Sequence, residues 1–569
     1  MNGLLLAIIA FAVFFIAYKT YGTFLAKKVF ELNPDAKVPS REFEDGVDFV
    51  PTKKEVIFGH HFTSIAGTGP IVGPAIGVIW GWVPAIIWIV GGTIFAGAVH
   101  DFGALVISMR NKGRTLGDLT GDIVSPRAKY LFFAIIFFEL WIVIAIFAMI
   151  MGILFNLYPS AVFPVWFEVP IALWLGWAIY KKNMNIVTGA IISIILMYIT
   201  VVIGAYWPIK MPSVLGMSPL TVWVIIFMVY AYIASTLPVT TLLQPRDWIN
   251  AHELLIAMGL MFLGAVFGAG KLHIVAPAFQ LKPEGAPPIW PMLFVTIACG
   301  AISGFHSLVG SGTSSKQVAS EPDAKFVGYG SMLMEGSLAT LVVVACTAGL
   351  GLKYIAKSGE VLTGLAAWQA HYSSWQAAAG LGSKLAAIVE GASNMMESLY
   401  IPHAIGVTIM GVFIVSFAGT TLDTATRIQR YVIGEFFTSI KAPKWGNRWL
   451  ATGVAVVTAA ILAFLQKDGK GALILWPLFG GVNQLLAALA LLVATVYLVR
   501  KRRPYFVTVI PLIFMIVMTG WAMMRNISRF ASTGNALLFT IGLIIFLLEI
   551  WLIIEAIVAI AKAKETELG

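Results

Sequence analysis

Four carboxylates of this 569-residue chain sit where a carboxylate is costly: Asp101, Glu139, Glu335 and Glu549 each fall inside an apolar run long enough to cross a bilayer. An ionised group in hydrocarbon costs a few kcal/mol or more when unpaired, so each is a functional candidate by default. Burial favours the neutral form of a carboxyl, which is the property a proton-coupling site requires. Asp101 is preceded by His100, and these two, with Glu139 and Glu335, form the core of a candidate ion-coupling set. Glu549 and Glu555, close to the C-terminal end, read as structural. Asp423 and Arg427, four residues apart on a helix, read as an exposed ion pair.

A second group of residues breaks helices. The stretch Gly67-Thr68-Gly69-Pro70-Ile71-Val72-Gly73-Pro74 carries three glycines and two prolines. Proline lacks an amide hydrogen, so the carbonyls of Ala66 and Pro70 lose their helical donors. Broken backbone inside a bilayer is tolerated only within protein or beside water. Such a break offers carbonyls to a cation and the amides of Ile71, Val72 and Gly73 to a carboxylate. Gly67, Thr68, Gly69 and Ile71 are therefore candidate substrate-binding positions. Ser235 and Thr236, ahead of Pro238, mark a second candidate break and are further candidate substrate-binding positions. The glycine- and hydroxyl-rich stretch from Gly304 to Lys316 adds His306 and Ser307 as substrate candidates and Ser311 and Thr313 as ion candidates. His60 and His61 read as interfacial residues ahead of the first break. No His, Cys and carboxylate spacing makes a metal site, and neither Cys299 nor Cys346 has a CxxC partner.

The elements that must hold these residues follow from composition. Residues of the AVILMFWYC set make up 59% and charged residues only 12%, with a mean hydropathy of +0.88. A soluble domain carries about 25% charged residues. The chain therefore reads as an all-α polytopic membrane protein, and an ordinary soluble enzyme, a disordered protein and a disulfide scaffold are excluded. The net charge of +10 resides in short clusters between apolar runs, which sets orientation and lipid contact and does not point to nucleic acid. Fifteen spans are expected, the first at 3–26 and the last at 536–561. Residues 4–17 are read as part of the first span and not as a signal peptide, and 382–398 as a re-entrant or surface helix. With the N-terminus outside and the C-terminus inside, 28 of 38 Lys and Arg fall on the inner side, as the positive-inside rule demands.

On that topology the break in the second segment and the one in the seventh are oppositely directed and five segments apart. This is the arrangement of inverted five-helix repeats with a site between two broken helices. The expected division is 1–61, first helix and inner loop; 62–207, first repeat; 208–420, second repeat; 421–569, C-terminal helices. No Walker A motif is present, so ATP does not drive this chain, and no cofactor is expected.

The motifs Gly59-His60-His61-Phe62, Gly67 to Pro74, Ala98-Val99-His100-Asp101-Phe102, Ser303 to Lys316, Gly328 to Glu335, Leu422 to Arg427 and Leu475 to Gln484 together resemble the carbon starvation protein A (CstA) family of inner-membrane transporters. They cover most of 55–500 in the family's order, with 352–398 shorter than in longer relatives. The resemblance implies uptake of peptides or pyruvate during carbon starvation, the latter by proton symport. It also implies the LeuT-like fold of the amino acid–polyamine–organocation superfamily, in agreement with the repeat inferred above. The expected partners are a small carboxylate-bearing nutrient, a proton and the lipid bilayer. A sodium-coupled transporter of the same fold is one alternative. A membrane enzyme or ion-translocating redox subunit is the other, and the scattered histidines speak against it.

Overall fold

The computed structural model describes residues 1–356 and 359–568, excepting the side chains of 556 and 563–568. Lys564, counted above with the inner charges, lies outside the described side chains. Lys357 and Ser358, within the 352–398 stretch, lie outside the described residues.

Long apolar helices make up the molecule. Among the described residues twelve are long and apolar enough to cross a membrane, or thirteen if one bent pair is a single span. The 17-residue helix Arg448–Phe464 and the interrupted pair Ile289–Thr296 and Gly304–Gly312 account for the other two segments expected. Both fall short of the length that a bilayer requires of a continuous helix.

Polar caps set many boundaries. The Asn2, Thr115, Ser125, Asn185, Ser218 and Asn447 side chains each accept a hydrogen bond from an amide of the first turn. At Val162–Lys182 the helix ends on a left-handed Asn183 with Lys181 and Lys182 in its last turn, a favourable match to the helix dipole.

The elements used below are α1 (Gly3–Val29), α2 (Lys54–Ala66), α3 (Gly69–Trp80), α4 (Trp82–Met109), α5 (Leu116–Ile123), α6 (Pro126–Leu157), α7 (Val162–Lys182), α8 (Ile186–Tyr206), α9 (Pro219–Thr236), α10 (Leu243–Phe267), α11 (Ile289–Thr296), α12 (Gly304–Gly312), α13 (Glu321–Leu352), α14 (Leu381–Glu397), α15 (His403–Ser439), α16 (Arg448–Phe464), α17 (Trp476–Arg500), α18 (Phe506–Ser532) and α19 (Ala536–Leu568). The long α6 and α15 form the most extensive helix pair. Around them α9 and α16 complete one group. The segments α2–α3, α4, α11–α12 and α13 pack together as a second. Helices α17, α18 and α19 pack on one another, with α17 also lying against α4 and α12.

Two sequence expectations need correction here. The second segment does not begin at 62: α2 starts at Lys54, so His60 and His61 are inside the helix and fully buried, not interfacial. The expected break in the seventh segment lies at the end of α9, where 237–242 turns into α10, and not in mid-helix. Residues 382–398 form α14, whose apolar face is buried against α13 and α15.

Candidate functional site

Two helices are interrupted, and the interruptions touch. Between α2 and α3 the chain bends by 45° at Gly67 and Thr68. Gly67 has φ +34° and ψ −146°, and a Cβ there would fall 2.7 Å from Thr421 Oγ1 and 3.3 Å from the Phe147 ring. Only glycine meets both demands. The second interruption is 297–303, between α11 and α12. Gly69 sits directly on the Cys299 side chain, and Gly73 approaches the Thr296 carbonyl so closely that a Cβ would lie 2.7 Å away. The space between the two breaks is closed in this conformation.

Backbone freed by the second break finds partners on distant helices. Trp88 Nε1 donates to the Ile297 carbonyl at 2.9 Å and Thr93 Oγ1 to the Gly300 carbonyl at 3.0 Å. The Gly300 amide donates to Glu335 Oε1 and the Phe305 amide to Asn483 Oδ1, each at 3.0 Å. A buried amide left unpaired costs about 1–3 kcal/mol, so these four contacts hold the unwound segment in place. At the first break the Ile71 and Val72 amides both donate to the Thr68 carbonyl. They are not offered to an anion, contrary to the expectation from sequence. Thr421 Oγ1 donates to the Ser64 carbonyl, and the Ser64 and Thr424 hydroxyls bond at 3.0 Å, which ties α2 to α15.

Beside the second break lies a buried chain of titratable groups. His100 Nδ1 is 2.7 Å from Asp101 Oδ1, His306 Nδ1 is 3.1 Å from Asp101 Oδ2, and His306 Nε2 is 3.4 Å from Glu335 Oε2. None of these side chains is exposed. Both nitrogens of His306 face carboxyl oxygens. A neutral imidazole carries one N–H, so a second proton must reside on the ring or on one of the two carboxyls. The arrangement can hold a proton between α4, α12 and α13, and the Gly300 amide connects Glu335 to the break.

The structure thus brings His100, Asp101, His306 and Glu335 together, and places Gly67, Thr68, Gly69 and Ile71 at the facing break. Glu139 stands apart on α6, buried with neither oxygen partnered among the described residues. Ser235 donates to the Asp423 carbonyl and Thr236 to Ile233 in its own helix, both at the end of α9. Ser307, Ser311 and Thr313 bond back to carbonyls three or four residues earlier. Ser311 also accepts the Leu116 amide, and Thr313 meets His60 Nε2 at 3.1 Å.

A second buried network has no counterpart in the sequence reading. His60 Nδ1 lies 2.6 Å from Asp247 Oδ2. Arg246 pairs with Asp423 and bonds the Tyr230 hydroxyl, which donates to Asp423 Oδ2 at 3.0 Å. Asp423 is therefore 1% exposed and paired across helices. Arg427 turns instead to Asp48 at 2.8 Å and to the carbonyls of Ala234 and Leu237. The expected exposed Asp423–Arg427 pair is corrected accordingly. Arg430 also reaches Asp48, while the Val50 and Thr52 amides donate to the carbonyls of Lys316 and Gln317. The loop ahead of α2 is thereby fastened to α15 and to the end of α12. Burial opposes ionisation of Asp48, but Arg427, Arg430, the Tyr431 hydroxyl and Lys316 together outweigh it and hold the carboxyl at about 2.

Comparisons with known proteins agree with the resemblance. A family model described as carbon starvation protein CstA matches residues 2–522. The peptide transporter CstA of Campylobacter jejuni is 33% identical over 94% of this chain and 82% of its own length. That of Bacillus subtilis is 32% identical over 93% and 91%. The pyruvate/proton symporter BtsT of Escherichia coli is 31% identical over 92% and 81%. Among solved structures, the nucleobase-cation-symport-1 family transporter Mhp1 in a closed conformation aligns at TM-score 0.46 and 13% identity, over 94% of this chain and 96% of that one. MhsT in complex with L-phenylalanine aligns at 0.44 and 13%, over 82% and 99%. Scores below 0.5 are too weak to carry an argument.

Proposed function

We propose that this chain is a secondary active transporter, and the premise is its family: it belongs to the carbon starvation protein CstA family. Its relatives are named as transporters of peptides and as a symporter of pyruvate with protons. The proposed reaction is uptake of a small carboxylate-bearing nutrient, pyruvate or a short peptide, driven by a proton moving inward across the inner membrane. The observation that carries it is His306 bridging Asp101 and Glu335, buried, with Glu335 holding the Gly300 amide of the second break.

Two buried carboxyls around one imidazole can gain or lose a proton without a change of fold. Because Glu335 Oε1 also anchors the break, its charge state bears directly on the backbone that closes over the substrate space. Proton occupancy and access are thereby linked, as coupled transport requires. Gly67 to Ile71, facing Cys299 and Gly300, would line the substrate once the breaks part. Sodium coupling is less well supported, because the symporter among the named relatives is a proton symporter.

The packing favours inverted repeats that start at the two interrupted helices, at 54–267 and 289–500, in place of 62–207 and 208–420. In that register α2 lies on α10 as its counterpart α11 lies on α17, and the short helices α5 and α14 follow the second member of each repeat. The pair α7–α8 is then an insertion in the first repeat. The N-terminus would be outside, and the loop carrying Asp48 would close the inner end.

Uptake of labelled pyruvate and of di- and tripeptides into proteoliposomes tests the reading. An inward proton gradient should drive accumulation of one of these classes, and replacing sodium by choline should leave it unchanged. Asp101→Asn should abolish uphill accumulation while exchange at equal concentrations persists. Accumulation that ignores the proton gradient, or survives in Asp101→Asn, would overturn proton coupling at this site.

A further inference from the structure

Next to the Arg246 ion pairs is a small cavity that the Asp101–His306–Glu335 group does not use. Trp166, Phe227 and Tyr230 wall it, and Glu168, Arg246 and Ser416 are its polar members. Its volume of about 20 Å³ admits a single water. Ser416 Oγ of α15 donates to Glu168 Oε2 at 3.0 Å. Glu168 Oε1 has no hydrogen-bond partner among the described residues, and neither has Arg246 Nε, which lies 4.0 Å from it. These side chains are 2% and 4% exposed.

The charges around Glu168 do not balance. Facing it are Arg246, Asp247 and Glu253 from α10, Asp423 from α15 and the Tyr230 hydroxyl from α9, with Tyr198 of α8 beside Glu253. His60 of α2 stands behind Asp247, while Arg427 is turned away to Asp48. Even with His60 counted as a cation, two cations face the four carboxyls of Asp247, Asp423, Glu168 and Glu253. An uncompensated buried charge costs several kcal/mol, so the cluster must hold at least one further proton. Arg246 bonds Asp423 directly and reaches Asp247 at 3.5 Å, which leaves Glu168 and Glu253 to carry the two protons that four carboxyls and two cations require; both line cavities, and Glu168 is the one that faces the Arg246 guanidinium, at 4.0 Å.

We propose that Glu168 is a second proton-binding site, separate from the Asp101 group, which gains and loses its proton through this cavity. Protonated, it takes the Ser416 hydrogen bond and leaves Arg246 to Asp423, so that α10 and α15 are clamped. Ionised, it competes for the Arg246 guanidinium and weakens that clamp. The binding event itself does not depend on the transport reading; only its effect on α15 does.

Infrared difference spectroscopy of the purified protein, with pH and deuterium exchange as variables, tests it. The wild type should show a protonated-carboxyl band that shifts in heavy water, is lost on alkaline titration and persists in Asp101→Asn. Glu168→Gln should lack this band, and Ser416→Ala should move its frequency while the fold is kept. A difference spectrum identical in wild type and Glu168→Gln, or no shift in Ser416→Ala, would overturn the proposal. In proteoliposomes the pH midpoint of uptake should move in Glu168→Gln. Absence of any uptake by the wild type would count against the transport reading alone, and the band would still decide the site.

Discussion

At the scale of single residues, Glu139 differs from the Asp101 group in what surrounds it. Glu139 has no hydrogen-bond partner on either oxygen among the described residues, whereas Asp101 and Glu335 are engaged by histidines and an amide. A charge at Glu139 would be uncompensated, so an uncharged isostere should replace it at little cost. Glu139→Gln should retain wild-type uptake and a Tm within a few degrees, read by transport and thermal-shift assays. A loss comparable to that of Asp101→Asn would place Glu139 in the coupling path. Asp101, His100 and Glu335 were legible because a charge inside an apolar run is an anomaly that needs no structure to notice. Arg246, Asp247 and His60 were not. They sit in the first two turns of helices that start earlier than hydropathy indicates, and they read as loop or interfacial residues until α2, α10 and α15 close over them.

At the scale of elements, the loop ahead of α2 is a fastening whose strength depends on one carboxylate. The folded protein holds Asp48 at about 2, below its ordinary value near 3.8. A carboxyl depressed on folding stabilises the folded state above its unfolded value. That contribution fades between about pH 4 and pH 2 as the group is protonated. Asp48→Asn should therefore lower Tm at neutral pH, since it leaves Arg427 and Arg430 without their anion, a loss of roughly 3 kcal/mol. The gap to the wild type should narrow on acidification towards pH 2. A gap that is constant with pH would show that the ion pairs do not fasten the loop. The first broken helix was readable from its glycines and prolines. The second true break was not: 297–303 holds one glycine and no proline, and it is kept unwound by Trp88, Thr93, Glu335 and Asn483, which lie far away in sequence. Pro238 is a stronger local breaker, yet it only ends a helix.

At the scale of the whole molecule, apolar composition was enough to read a multi-pass helical membrane protein. The number of spans is less secure in sequence, because α16 and the α11–α12 pair are each too short to qualify as one unbroken helix. The sorting of Lys and Arg, 28 against 10, expects the N-terminus outside. Single cysteines placed at Trp445 and Gly534 should then react with an impermeant label from the inner and the outer side respectively, and labelling of both from one side would reject this topology. The central claim is that substrate and proton move together through the Asp101–His306–Glu335 group. The most direct test is the external pH of weakly buffered proteoliposomes when substrate is added without an imposed gradient. The wild type should alkalinise the medium as substrate enters, and Asp101→Asn should not. Substrate entry with no pH change in the wild type, or equal alkalinisation by Asp101→Asn, would contradict it.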